Sequence, residues 1–173
     1  MRERTSRTLV VMRHAKAEAH GPTDALRELS ERGRDDAAEA GRWLAHEGFV
    51  PQQALVSSAT RTAQTWESLA GAAGWTVAPA LDRGLYAADV DSALETVRAA
   101  DDAHTSLIVV GHNPTMADLA LLLDDGRGER AAGDALAAHG FPTSALAVFE
   151  VTGPWEDLGP GTARLAGHHV GRA

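Results

Sequence analysis

Three short apolar runs, TLVVM (8–12), ALVSS (54–58) and SLIVV (106–110), lack the alternation of apolar and polar positions that marks a half-exposed strand. A strand apolar at successive positions is buried on both faces, the environment of a mainly parallel sheet covered by helices on each side. The intervening segments have helical spacing. After Gly21-Pro22, Ser30 can cap a helix in which Ala37, Ala40, Trp43 and Leu44 recur on one face before Gly48. ATRTAQTWESLAGAAG favours a second helix that Gly74 stops, with Arg61 in its first turn. WTV (75–77) reads as a short third strand, Asp89 or Asp91 as the cap of a helix through Val97, and Pro114 as the first turn of a helix through Leu123. A loop and a short helix then reach His139. Two late strands, 144–151 and 162–168, are separated by GPWEDLGPG without a helix and should pair antiparallel. The expected fold is a three-layer α/β/α sandwich around a mixed, mainly parallel sheet.

A chain of 173 residues suits a single domain over 1–173, with 1–7 and 170–173 expected to be loose. Twenty-four acidic residues against 16 basic ones give a net charge of -8, which disfavours nucleic acid and anionic membranes as partners. The basic start is followed by an apolar run that stops at Arg13, too short for a secretory or membrane-spanning segment, so the cytoplasm is the expected location. There is no cysteine, hence no disulfide, thiolate metal site or cysteine nucleophile. All basic residues except Lys16 are arginines, so arginine abundance alone does not signal phosphate binding.

Position does. Sheets of this kind place ligand sites beyond the carboxyl ends of their strands. There the apolar runs deliver Arg13-His14, Ser57-Ser58 leading to Arg61, and Gly111-His112-Asn113. Singly, these segments read as a loop pair, a helix cap and a turn; at one rim they make a cationic, donor-rich pocket. A phosphoryl group carries about two negative charges and offers three acceptor oxygens. Charge-assisted hydrogen bonds, at roughly 1.5–3 kcal/mol each, can hold it despite the overall negative charge. The forks of Arg13 and Arg61 suit paired oxygens. His14 is nucleophilic when neutral, one ring nitrogen donating to a backbone carbonyl and the other reacting; which does which is not readable from sequence.

These residues resemble the histidine phosphatase superfamily, which includes phosphoglycerate mutases and acid phosphatases and opens with Arg-His-Gly after its first strand; here the motif reads Arg13-His14-Ala15. The likeness continues through LSERGRDDAAEAG (29–41), the SSxxRTxQT block (57–65) and VVGHNP (109–114). Alanine in place of the motif glycine, the short length and PTSALAVFE (142–150) resemble the small bacterial phosphohistidine phosphatases, which lack the helical cap of larger members. The resemblance implies a phosphoglycerate mutase-like fold and no cofactor or metal. It implies His14 as phosphoryl acceptor, Arg13 and Arg61 as phosphate clamps, and His112, supported by Asn113, as a donor to the transferring group.

Mutases and larger phosphatases carry an acidic proton donor after the third strand. Asp82, Asp89 and Asp91 lie there, no local pattern selects one, and the general acid stays unassigned. A ring-protonated phosphohistidine leaves as neutral imidazole and needs less help than an alkoxide. The first expectation is thus a phosphatase acting on phosphohistidine of a signalling or carrier protein; a phosphatase of small phosphorylated metabolites and a non-catalytic phosphoprotein-binding module are the alternatives. A metal hydrolase is disfavoured by arginines that would repel a cation. Lys16 and Glu18 are read as lining the pocket mouth or a solvated loop, Trp43, Trp66 and Trp75 as structural, Trp155 as a possible partner contact, and the remaining histidines as solvated.

Overall fold

The computed structural model describes residues 4–173. One six-stranded sheet is ordered β3-β2-β4-β1-β5-β6, with strands β1 (Ser6–Arg13), β2 (Gln53–Ser57), β3 (Pro79–Asp82), β4 (Ser106–Gly111), β5 (Ala145–Thr152) and β6 (Ala163–Val170). β3, β2, β4 and β1 run parallel, while β5 pairs antiparallel with both β1 and β6. The helices are α1 (Glu31–His46), α2 (Thr60–Ala73), α3 (Val90–Arg98), α4 (Thr115–Leu123) and α5 (Arg130–His139).

The two-residue period of β1 divides its apolar side chains between two cores. Val10 and Met12 pack with Ala40 and Leu44 of α1 and Trp66 and Leu69 of α2. Leu9 and Val11 pack with Leu94 and Val97 of α3 and Leu119 and Leu123 of α4. This makes the expected three-layer sandwich, with no separate helical cap domain among the described residues. Ser30 caps α1 by accepting from Gly33 N–H at 3.0 Å. Gly74 ends α2 with φ of 76°. Asp89, rather than Asp91, caps α3.

The structure corrects several expectations. The third strand is Pro79–Asp82, not 75–77. Trp75 is instead packing surface, stacked on Trp66 at 5.8 Å between ring centroids and edge-on to Phe49. Trp155 is fully buried and offers no partner contact: its Nε1 donates to His104 O at 2.8 Å and the Arg7 guanidinium lies over its ring. The ends are tied down where they are described. Ser6 and Arg7 belong to β1, and the Ala173 N–H donates to Asp36 Oδ1 at 3.0 Å. Residues 1–3, expected to be loose, lie outside the described residues. Among the remaining histidines, His169 is not merely solvated: it stacks on Trp43 at 4.5 Å and bonds Glu39.

α1 and α2 cross closely because Gly41 has no side chain; a β-carbon there would overlap the Leu69 carbonyl oxygen. Gly41→Ala should therefore destabilise the protein by about 1–3 kcal/mol, as overpacking does. Urea unfolding measures this as a lower midpoint, and an unchanged midpoint would show that the crossing has slack.

Candidate active site

β2, β4 and β1 are adjacent and parallel, so their carboxyl ends open on one rim. In register, Arg13 of β1 faces Gly111 of β4. The next residue, His14, is held at both ends of its peptide: its N–H donates to Gly111 O at 3.0 Å and its carbonyl accepts from Ser144 N–H at 3.1 Å.

His14 is 8% exposed, with Nδ1 2.7 Å from the Ala15 carbonyl oxygen. A carbonyl can only accept, so Nδ1 carries the ring proton and Nε2 presents its lone pair. Burial, with the charges of Arg61, Arg13 and Arg27, lowers the His14 pKa from 6.5 to about 4, against the opposing pull of the Ala15 carbonyl. The imidazole is neutral near physiological pH.

His112 lies beside it, ring centroids 5.3 Å apart. Its Nε2 is 2.7 Å from Ser57 Oγ, which also takes the Ala59 N–H at 3.4 Å. Ser57 is fully buried, and the only acceptor for its hydroxyl among the described residues is that nitrogen. The ring proton of His112 therefore sits on Nδ1. Burial, then the nearby His14 and Arg61, lower its pKa to about 3.

Three buried nitrogens at this rim meet no acceptor among the described residues: Arg13 Nε, Arg61 Nε and His112 Nδ1. Buried N–H groups are rarely left so, and an anion with several oxygens satisfies them together. The other ends of both guanidinium groups are anchored. Arg13 Nη1 donates to Phe141 O at 3.4 Å, while Arg61 Nη1 and Nη2 donate to Asp24 O at 2.8 Å and Asp24 Oδ2 at 3.2 Å. Partial burial also lowers the Arg13 pKa. Among the described residues, no group of three or more His, Asp or Glu side chains is disposed to hold a metal ion.

Four polar residues of the SSxxRTxQT block, Ser57, Thr62, Gln64 and Thr65, have structural partners. Ser57 bonds His112, and Thr62 Oγ1 donates to Ser57 O. Gln64 Oε1 accepts from Leu29 N–H, and Thr65 Oγ1 accepts from Ala15 N–H at 3.0 Å. The segment after His14 is thereby tied to α2. It is tied to α1 as well: Ser30 Oγ and N–H both donate to Lys16 O, and a β-carbon on Gly33 would overlap that oxygen. Lys16 and Glu18 thus act through their backbone, Glu18 O accepting from Arg27 Nη1 at 2.8 Å.

The structure brings Arg13, His14, Arg61 and His112 together. Asn113 lies at the same rim with both ends of its amide engaged, Nδ2 donating to Phe141 O at 2.7 Å and Oδ1 accepting from Ala117 N–H at 3.2 Å. Asn113 braces the start of α4 against the loop that anchors Arg13. The aspartates after β3 are also engaged, Asp82 accepting from Gly84 N–H and Asp89 from Ser92 N–H, and Asp91 lies exposed in the first turn of α3. The carboxylate on the clamp is Asp24, which the sequence reading missed along with Arg27 and Tyr86. Asp24 accepts from Tyr86 OH, from Arg27 Nε at 3.0 Å and from Arg61. Tyr86 lies edge-on to His112 at 5.6 Å. No local pattern could have linked Asp24 with Tyr86, since they meet only through the fold.

The lowered pKa of His14 has a signed consequence. Its folded value lies below its unfolded one, so the folded state binds fewer protons, and its contribution to stability is lost as pH falls from about 6.5 through about 4. NMR titration should find a His14 midpoint near 4 and the Nδ1-protonated tautomer above it. A midpoint near 6.5, or a proton on Nε2, would contradict the geometry.

The model of the histidine phosphatase superfamily (branch 1) matches residues 9–90. Uncharacterized protein Rv1276c of Mycobacterium tuberculosis (strain ATCC 25618 / H37Rv) is 40% identical over 162 residues, 93% of this chain and 100% of that protein. A solved structure from Nakamurella multipartitia, provisionally assigned as phosphohistidine phosphatase SixA, is 31% identical with a TM-score of 0.85, covering 98% of each chain. The protein histidine phosphatase SixA complexed with tungstate shares the fold, with a TM-score of 0.76 at 22% identity over 94% of this chain and 96% of that one. The chain belongs to the histidine phosphatase superfamily and is a phosphatase.

Proposed function

We propose that the protein hydrolyses phosphohistidine, carried on a phosphorylated protein, through a covalent intermediate on His14. One observation carries the reading: a neutral imidazole, fixed through Nδ1, lies among the unpartnered N–H groups of Arg13, Arg61 and His112. In the first step Nε2 of His14 attacks phosphorus and the leaving group departs with the electrons of its old bond to phosphorus. The two guanidinium groups and His112 Nδ1 hold the oxygens of the transferring group, whose charge they stabilise best at the transition state. Phosphorylated on Nε2 and still protonated on Nδ1, His14 is a good leaving group for the water that attacks next. That water supplies the oxygen of the released phosphate, and the electron pair returns to Nε2.

The name of the Nakamurella relative supports phosphohistidine as substrate. So does the state of Asp24. Held by the Tyr86 hydroxyl, then by Arg27 and Arg61, its pKa falls to about 2, so it has no proton to give an alkoxide. A protonated phosphoimidazole asks for none.

Brief mixing with radiolabelled phosphohistidine protein tests this. The wild type should carry an acid-labile, alkali-stable label, His14→Ala should carry none, and turnover should fall roughly a thousandfold or more. Undiminished turnover by His14→Ala would overturn the mechanism.

A further inference from the structure

We propose that Asp24 is the specificity-determining residue of this site, a fixed carboxylate at its mouth that accepts the ring N–H of the departing imidazole of a phosphohistidine. The inference rests on the function proposed above and adds the group that reads the leaving side of the substrate.

Four donors fix the position of Asp24. Both terminal nitrogens of Arg61 bind it, one on its carbonyl and one on Oδ2; Tyr86 OH also donates to Oδ2, and Arg27 Nε to Oδ1. The Arg61 guanidinium lies over the Tyr86 ring, whose edge meets His112, so the carboxylate is locked to the residues that surround the phosphoryl group. It nevertheless faces outward: the Asp24 side chain is 55% exposed, against 8% for Arg61. A carboxylate accepts at about four lone-pair positions, and Arg27, Arg61 and Tyr86 use three, leaving capacity on Oδ1. A group arriving from solvent with its phosphoryl on Arg61 has this acceptor beside it.

The chemistry balances without a proton transfer. When His14 Nε2 bonds to phosphorus and the substrate N–P bond breaks, the pair of that bond stays on the leaving ring nitrogen. The other ring nitrogen keeps its proton, bonded to Asp24, and neutral imidazole leaves. The second step repeats this arrangement inside the protein. Water bonds to phosphorus, the pair returns to His14 Nε2, Nδ1–H stays on the Ala15 carbonyl, and phosphate leaves with the protons of the water. Asp24 does for the substrate ring what Ala15 O does for the protein's own phosphohistidine. A fixed negative charge there also repels the extra anionic groups of many small phosphorylated metabolites.

The test compares kcat/KM for phosphoimidazole and p-nitrophenyl phosphate in wild type and Asp24→Asn, which keeps the shape and removes the charge. The ratio of the two should fall by about tenfold or more, the scale of one charge-assisted hydrogen bond. The falling alkaline limb of kcat on phosphoimidazole should also move to lower pH, because the bound ring deprotonates more easily. A second arm needs no substitution: 1-methyl-3-phosphoimidazolium is cationic but has no ring N–H, and the wild type should prefer phosphoimidazole to it while Asp24→Asn should not. Equal losses on both substrates, with no shift of the pH limb, would overturn the proposal and leave Asp24 a brace for Arg61. Wild type that cleaves p-nitrophenyl phosphate but not phosphoimidazole would instead overturn the phosphohistidine reading itself.

Discussion

The hydrogen bond from His14 Nδ1 to the Ala15 carbonyl is the contact around which the other parts of the site are arranged. It chooses the tautomer, aims Nε2 outward and, after phosphorylation, would keep the ring in its departing form. A bond between a side chain and the adjacent peptide holds a ring only if that peptide cannot turn. Here Thr65 takes the Ala15 N–H, Ser30 takes the Lys16 carbonyl, and Gly33 lets α1 approach that carbonyl. The β-carbon that Ala15 has in place of the motif glycine lies fully buried beside Leu29 and Ala37, so this departure from the family pattern strengthens the packing of the segment.

Electrostatics supports the same end. A chain of net charge -8 builds a pocket of Arg13, Arg27 and Arg61 around a histidine. Burial of the ring, then those charges, makes protonation unfavourable, so the imidazole keeps its lone pair where solvent alone would leave it partly protonated. The same guanidinium groups that repel the ring proton attract a phosphoryl group. Arg61 stays in place because Asp24 binds its two terminal nitrogens, which leaves the buried Nε for the phosphoryl group.

Much of this was legible in the sequence, for reasons of local physics. Strands buried on both faces are apolar at successive positions, so 8–12 and 106–110 disclosed both the sheet and the rim to which it delivers Arg13, His14 and His112. Ser30, Gly74 and Asp89 carried the chemistry of helix ends. Trp75 and Trp155 misled because an apolar side chain looks alike in a ladder, in a packed layer or on a surface; their partners Phe49, Arg7 and His104 are distant in the chain. Asn113 was placed at the right rim, but its engagement by Phe141 and Ala117 depends on a loop fixed only by the fold. Asp24 and Tyr86 were silent for the same reason: an aspartate before a short turn and a tyrosine after a strand become a functional pair only when β2, β3 and the loop after β1 converge.

The central claim is that Nε2 of His14 attacks a phosphoryl group held by the N–H groups of Arg13, Arg61 and His112. A crystal structure with vanadate, which adopts the trigonal bipyramid of phosphoryl transfer, addresses it most directly. The expected result is vanadium bonded to His14 Nε2, with its equatorial oxygens on Arg13 Nε, Arg61 Nε and His112 Nδ1 and with His14 Nδ1 still on the Ala15 carbonyl. Vanadium bonded to Nδ1, or vanadate seated elsewhere with those three nitrogens unpaired, would contradict it.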